Sequence, residues 1–299
     1  MKLLTFKQEN RHYLGIVTPK GVLHTEAAAQ VLDLSGIPSD IHEAIEQGAS
    51  ALEALNDLVG KASLADNAAS LWLREDDLQL EPCVTRPGKI ICVGLNYRKH
   101  AEETNAAIPE YPILFNKFNN TLSGHQAFIT LPEASRKVDY EAELVIVIGK
   151  TARNVAQADA LNYVFGYCNV NDLSARDLQL RTSQWLLGKT CDGFSPLGPY
   201  LVTASEIGDP NNLKIRTIVN GEVRQNSNTN DMIFRCDEIV SYISRHFTLS
   251  PGDLILTGTP EGVVLGYPPE KQVYLRDGDV VTVEIEKLGT LTNRFVAER

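Results

Sequence analysis

Paired cysteines are missing from this sequence. The five present, Cys83, Cys92, Cys168, Cys191 and Cys236, are odd in number and include no Cys-x-x-Cys pair. Neither a disulfide framework nor a zinc knuckle is indicated, and reduced, structural thiols are expected. Long apolar runs are missing too. None approaches the ~18 residues of a membrane span, and Met1-Lys2-Leu3-Leu4 leads into a polar stretch instead of a signal-peptide core. These absences predict a cytoplasmic protein with no membrane partner. Positive charge is scarce as well: 28 Lys and Arg stand against 38 Asp and Glu, a formal net charge of -10. That balance argues against a sequence-independent grip on nucleic acid or on an anionic membrane. There is no repeat of roughly 20 to 50 residues and no low-complexity tract.

What is present fills 299 residues, enough for a full core. Residues 1–80 read as a small α+β unit. Short alternating runs at Leu3 to Phe6, Tyr13 to Val17 and Gly21 to Leu23 are strand candidates broken by the turn signal Pro19-Lys20-Gly21. Ser39 or Asp40 is placed to cap a helix through Gln47, and Ala49 to Leu58 repeats Ala and Leu at helical spacing. His12, His24 and His42 show no metal-ligand spacing. Residues 81–299 are different in kind, with β-branched runs separated by Gly and Pro. Strands are expected at Ile90 to Val93, Ile113 to Phe115, Ala127 to Leu131, Glu141 to Ile148, Tyr163 to Asn169, Tyr200 to Thr203, Lys214 to Val219, Leu254 to Thr257 and Val280 to Ile285. Val155 to Leu161 and Cys236 to Arg245 are the helix candidates, and Asn220-Gly221 is a two-residue hairpin signal. The fold class expected is mixed β with few helices.

The stretch Asp139 to Ile148 carries the first chemical signal. Residues two apart in a strand share a face, so Glu141 and Glu143 point the same way, followed by Val145 and Val147. Ala142, Leu144, Ile146 and Ile148 take the other face, and both faces are apolar, as in a strand covered on both sides. Two like charges entering such a strand need a cation or several donors to compensate them. Asp172 stands where the apolar run Tyr163 to Val170 gives way to a turn. If the two runs are neighbours, three carboxylates surround one place, a hard-ligand set that favours magnesium, manganese or calcium. The competing reading leaves Glu141 and Glu143 on an exposed face and Asp172 capping a turn.

Three motifs in order, Asp139-Tyr140-Glu141-Ala142-Glu143-Leu144, Asn171-Asp172-Leu173-Ser174-Ala175-Arg176-Asp177 and Thr257-Gly258-Thr259-Pro260, resemble signatures of the fumarylacetoacetate hydrolase family. Gly94-Leu95-Asn96-Tyr97, Gly188-Lys189, Pro196-Leu197-Gly198-Pro199, Asn220-Gly221 and Pro251-Gly252-Asp253 extend the likeness from about Lys89 to Asn293. The resemblance implies a homodimer whose catalytic part is a β-sandwich roll. It also implies Mg2+ or Mn2+, with Ca2+ as a third option, held by Glu141, Glu143 and Asp172, and a small 2-oxo acid as substrate. His100 and Glu103 match a pair on a short lid helix, where residues three apart are neighbours and Glu103 can hold one ring nitrogen while the other acts as base. Lys189 matches an active-site lysine able to balance charge. Arg176, Gln179, Thr257, Gly258 and Thr259 match positions that contact substrate. Two departures stand out: Phe118 follows Lys117 where many members have proline, and Gly262-Val263-Val264-Leu265-Gly266 replaces a shorter glycine motif.

The activity expected first is metal-assisted hydrolysis of a carbon–carbon bond in an acylpyruvate or related β-diketo acid, with His100 activating water and the metal stabilising the departing enolate. Decarboxylation of oxaloacetate, or isomerisation and decarboxylation of a 5-carboxymethyl-2-hydroxymuconate, is the alternative on the same site. A non-catalytic 2-oxo acid-binding protein is the alternative from another class; it would have no need of His100 and Glu103.

Overall fold

In the computed structural model, which describes residues 1–65 and 69–298, the strand at the centre of the chain is Ala142–Ile148. It pairs antiparallel with Val164–Asn171 on one side and with Leu254–Leu256 on the other. Beyond Val164–Asn171 the sheet continues through Ser195–Thr203, Lys2–Gln8, Arg11–Thr18, Gly21–His24 and Trp72–Leu73. Beyond Leu254–Leu256 it continues through Ile90–Gly94, parallel to it, and Ile113–Lys117. The strands of residues 1–80 thus extend the large sheet, joined where Lys2 and Leu3 pair with Val202 and Leu201.

The alternation predicted for Ala142–Ile148 sends its two faces into different cores. Ala142, Leu144, Ile146 and Ile148 pack with Ile239, Val240 and Ile243 of the helix Cys236–His246. The same core takes Ile215, Val283 and Leu291 from a second, five-stranded sheet, which sets that sheet against the first. Val145 and Val147 instead pack with Ile41, Ala44, Leu55 and Leu58 from the N-terminal helices Ile41–Gln47 and Ala49–Leu64. Each such side chain contributes about 1.5–3 kcal/mol by leaving water. Of the two candidate caps, Asp40 starts the first of these helices, its carboxylate accepting the Glu43 N–H at 2.9 Å. Asn220 and Gly221 turn the second sheet's hairpin with φ of 51° and 86°, as a tight turn of this kind requires.

One expected helix is different. Val155 lies outside any helix, its N–H donating to Ser244 Oγ at 3.0 Å and its carbonyl accepting Ser241 Oγ at 2.8 Å. These tertiary bonds override helical spacing there, and only a 3-10 segment forms, at Gln157–Tyr163. Among the described residues no helix is long and apolar enough to cross a membrane.

Candidate active site

Antiparallel pairing of two consecutive strands places the head of one against the tail of the next. Ala142 pairs with Asn171, so Glu141 and Glu143 meet Asp172 at one end of the sheet. The corner is locked by the backbone: Asp172 N–H donates to the Glu141 carbonyl at 2.9 Å, and Glu141 N–H donates to Asn171 Oδ1 at 3.0 Å. The three carboxylates are buried, and one oxygen from each lies within 4.8 Å of the others. They do not sit on an exposed face.

Cations compensate two of the three. Lys189 Nζ bridges Glu141 Oε2 at 2.6 Å and Asp172 Oδ2 at 2.7 Å. Arg176 adds an ion pair to Glu141 Oε1 at 2.7 Å, and Lys117 pairs with Asp172 Oδ1. Burial alone would raise Glu141, but Lys189 and Arg176 outweigh it and hold its carboxyl at about 2. Lys189 is raised in its turn, Asp172 and Glu141 overcoming the effect of burial, so its ammonium stays charged. Among the described residues Glu143 accepts only the Gly258 N–H, at 2.7 Å. Burial and then repulsion from Asp172 and Glu141 push its carboxyl well above the usual range, against a smaller pull from Lys189 and that N–H. The cluster is therefore short of positive charge at Glu143. Three hard oxygen donors with that deficit fit a divalent cation such as magnesium or manganese.

His100 and Glu103 lie on the helix Arg98–Glu103, where their three-residue spacing brings His100 Nδ1 to 2.8 Å from Glu103 Oε1. Glu103 is held from below. Its Oε2 accepts the Gly262 N–H at 2.9 Å, and its carboxyl lies where a Cβ on Gly266 would come within 2.4 Å. The unusual glycine segment noted in the sequence is thus the seat of Glu103. Asn96, just before the helix, ties it to the next strand: its Nδ2 donates to the Thr257 carbonyl at 2.7 Å and to the Phe234 carbonyl at 3.0 Å.

A cavity of about 180 Å³ joins these parts, lined by His100, Glu141, Glu143, Arg176, Gln179, Lys189, Gly258 and Thr259. That is below the ~300–1,000 Å³ of sites for drug-sized ligands, and suits a small acid. Asp172 and Glu103 stand behind this lining, each reaching it through Lys189 or His100. Thr257, expected to contact substrate, does not line the cavity; both its hydroxyl, at 2.9 Å, and its N–H, at 3.0 Å, donate to the Leu144 carbonyl. Its role is to join strands. Gly258 has a φ of 96°, and a Cβ there would come within 2.8 Å of Asn96 Cβ, so only glycine brings this N–H to Glu143.

Three further residues escape a reading of the sequence alone. Lys117 is fully buried and also donates to the Phe194 carbonyl at 2.7 Å, but its partner Asp172 is 55 residues away. Asp139 receives Arg176 Nε at 2.9 Å and the N–H groups of Val264 at 2.9 Å and Leu265 at 3.1 Å, so one carboxylate aims Arg176 and pins the segment under Glu103. Gln225 donates to Thr259 Oγ1 at 2.9 Å and accepts the Ala142 N–H at 3.0 Å. Asp139 stood inside a quoted motif and Lys117 beside the noted departure at Phe118, but neither was given a role there; Gln225 had no signal.

The FAA hydrolase C-terminal family matches residues 89–296. The chain is 43% identical, over 93% of its length and 86% of the relative's, to the mitochondrial oxaloacetate tautomerase fahd2 of Xenopus laevis. Among solved structures, the fumarylacetoacetate hydrolase of psychrophilic Exiguobacterium antarcticum is 34% identical, with a TM-score of 0.81 and 100% of both chains covered. The maleylpyruvate hydrolase of Sphingobium sp. SYK-6, solved in complex with manganese(II) ion and pyruvate, is 29% identical, with a TM-score of 0.78 and 100% of both chains covered. The Xenopus relative and those of Rattus norvegicus, Bos taurus and Homo sapiens are named as mitochondrial, which overturns the expectation of a cytoplasmic protein. Several independent lines, the ordered motifs, the β roll and the relatives, converge on one statement: this chain belongs to the fumarylacetoacetate hydrolase family.

Proposed function

We propose that this chain is a divalent-metal-dependent enzyme that interconverts the enol and keto forms of oxaloacetate or a closely similar 2-oxo acid. The observation that carries the reading is that one small cavity brings a carboxylate-held histidine, His100, to the cluster of Glu141, Glu143 and Asp172. Relatives 41–45% identical are named oxaloacetate tautomerases, which favours the alternative of chemistry at oxaloacetate or an enol over the acylpyruvate hydrolysis first expected. A tautomerase was not itself among those alternatives.

Held by Glu141, Glu143 and Asp172, Mg2+ or Mn2+ would supply Lewis-acid polarisation of the 2-oxo group. The chain's own residues account for the rest. Glu103 occupies Nδ1 of His100, leaving Nε2 to take a proton from C3 of the keto form, or return it. The proton lost at C3 is balanced by one gained at the C2 oxygen, so the shift needs no water and no co-reactant. Lys189 offsets the negative charge that develops on that oxygen, and Arg176, Gln179 and Thr259 orient the acid. Residues 1–80 serve in this proposal to extend the large sheet and to cover the part of it where Val145 and Val147 lie, and the family resemblance supports a homodimer.

Loss of the enol's ultraviolet absorbance from oxaloacetate tests the assignment. Expected is an acceleration with Mg2+ or Mn2+ that a chelator removes and that Glu141→Gln abolishes. Cleavage of acylpyruvates without any acceleration of the tautomeric step would restore the hydrolytic reading.

A further inference from the structure

Part of the cavity lining carries no charge, and Phe115 and Trp185 are its aromatic members. Trp185 is fixed there by three separate contacts. Its ring lies directly on Gly94, where a Cβ would come within 2.5 Å of ring carbon Cζ3, so a glycine is required for the indole to sit this low. It meets the Phe115 ring edge-on, with centroids 5.2 Å apart and planes at 71°. Its carbonyl accepts the Gly188 N–H at 3.0 Å and the Lys189 N–H at 3.2 Å, so the indole and the Lys189 ammonium belong to one turn of chain. Phe115 closes the loop, its ring centroid 5.2 Å from Lys189 Nζ. The aromatic wall is thereby held at a set distance from the two carboxylates that Lys189 bridges, across a cavity of about 180 Å³.

We infer that Trp185 is a specificity-determining residue that limits the chain length of the acid admitted; the inference rests on the 2-oxo acid reading above. An acid anchored at the carboxylate cluster by its 2-oxo and carboxyl oxygens extends towards this wall. In this inference a four-carbon skeleton is the length that ends before the indole. A longer one has to lift the ring off Gly94 and break its contact with Phe115. Chemistry alone does not distinguish oxaloacetate from the longer enols that a Glu-Glu-Asp site can polarise, and this wall does so by shape.

The test is calorimetric titration of the Mn2+-loaded full chain with unreactive linear 2-oxo monocarboxylates from 2-oxobutanoate to 2-oxooctanoate. In the unaltered chain, affinity is expected to fall by about tenfold or more between the four- and six-carbon acids, since a methylene that does not fit costs roughly 10- to 200-fold. Trp185→Ala should reduce that ratio to about threefold or less, and Trp185→Phe should give an intermediate ratio. A ratio unchanged in either folded variant overturns the inference, and so does equal binding of all lengths by the unaltered chain. Should Trp185→Ala not fold, the Trp185→Phe ratio decides alone. Failure of the unaltered chain to bind any member overturns the 2-oxo acid reading itself, and the length limit with it.

Discussion

Along one face of a single strand, the chain builds two opposite kinds of interior. Val145 and Val147 enter a dry core under the N-terminal helices, with Leu55 and Leu58 above them. Glu141 and Glu143, on the same face, enter a cluster in which buried carboxylates, Asp139 among them, meet Lys189 and Arg176. The first region gains by excluding water and needs no partner of a specified kind. The second loses hydration and recovers it only through named contacts, so it does little for net stability and much for chemistry. Packing at the apolar end fixes the strand that presents the charged end. Stability and function are thereby separated along the strand.

Removing Asp172 should break this comparison most severely. Asp172→Ala leaves Lys117 and Lys189 buried without a shared counter-charge, and breaking a buried pair costs about 3–5 kcal/mol. Turnover with Mg2+ or Mn2+ should fall by at least ~10² to 10³. Urea unfolding and the enol assay read the two losses together; a variant as stable as the unaltered chain would show that the lysines do not depend on Asp172. Leu58→Ala probes the other region. It should cost about 2–5 kcal/mol through the cavity it leaves, with turnover per folded molecule unchanged. A matching drop in turnover would mean that the two regions are not separate.

Much of this contrast was legible in the sequence because it depends on local rules. Period-two alternation separated Ala142, Leu144, Ile146 and Ile148 from Val145 and Val147, and helical spacing brought His100 to Glu103. Asp40 was one of two readable caps for the same reason. What was not legible depends on pairs distant in the chain. The join between Leu3 and Leu201 sends the N-terminal strands into the large sheet, and no periodicity encodes it. Thr257 matched a motif, yet its hydroxyl turned to the Leu144 carbonyl, because a family pattern records residue types and not which way a side chain faces.

The smallest expected effect comes from pH, and it separates the two regions by sign and by range. His42 lies at the start of an N-terminal helix, with Nε2 accepting the Arg86 N–H at 3.1 Å, a bond that requires a neutral ring. Burial, then Arg86, lowers its pKa below 6.5, so the unfolded chain takes up the proton first. The stability it contributes is complete above 6.5 and is lost as pH falls through its folded value. Glu141, held at about 2, keeps its contribution until pH falls below the ordinary carboxylate range and loses it as pH approaches about 2. Mild acid should therefore loosen residues 41–47 while leaving the Glu141 ion pairs intact. Hydrogen exchange at pH 7 and pH 5.5, each divided by the intrinsic rate at that pH, should show reduced protection in that helix at the lower pH, with little change in protection at Ala142 to Ile148, and His42→Gln should flatten the difference. Equal loss of protection in both places would mean that the apolar cover and the charged end open as one unit.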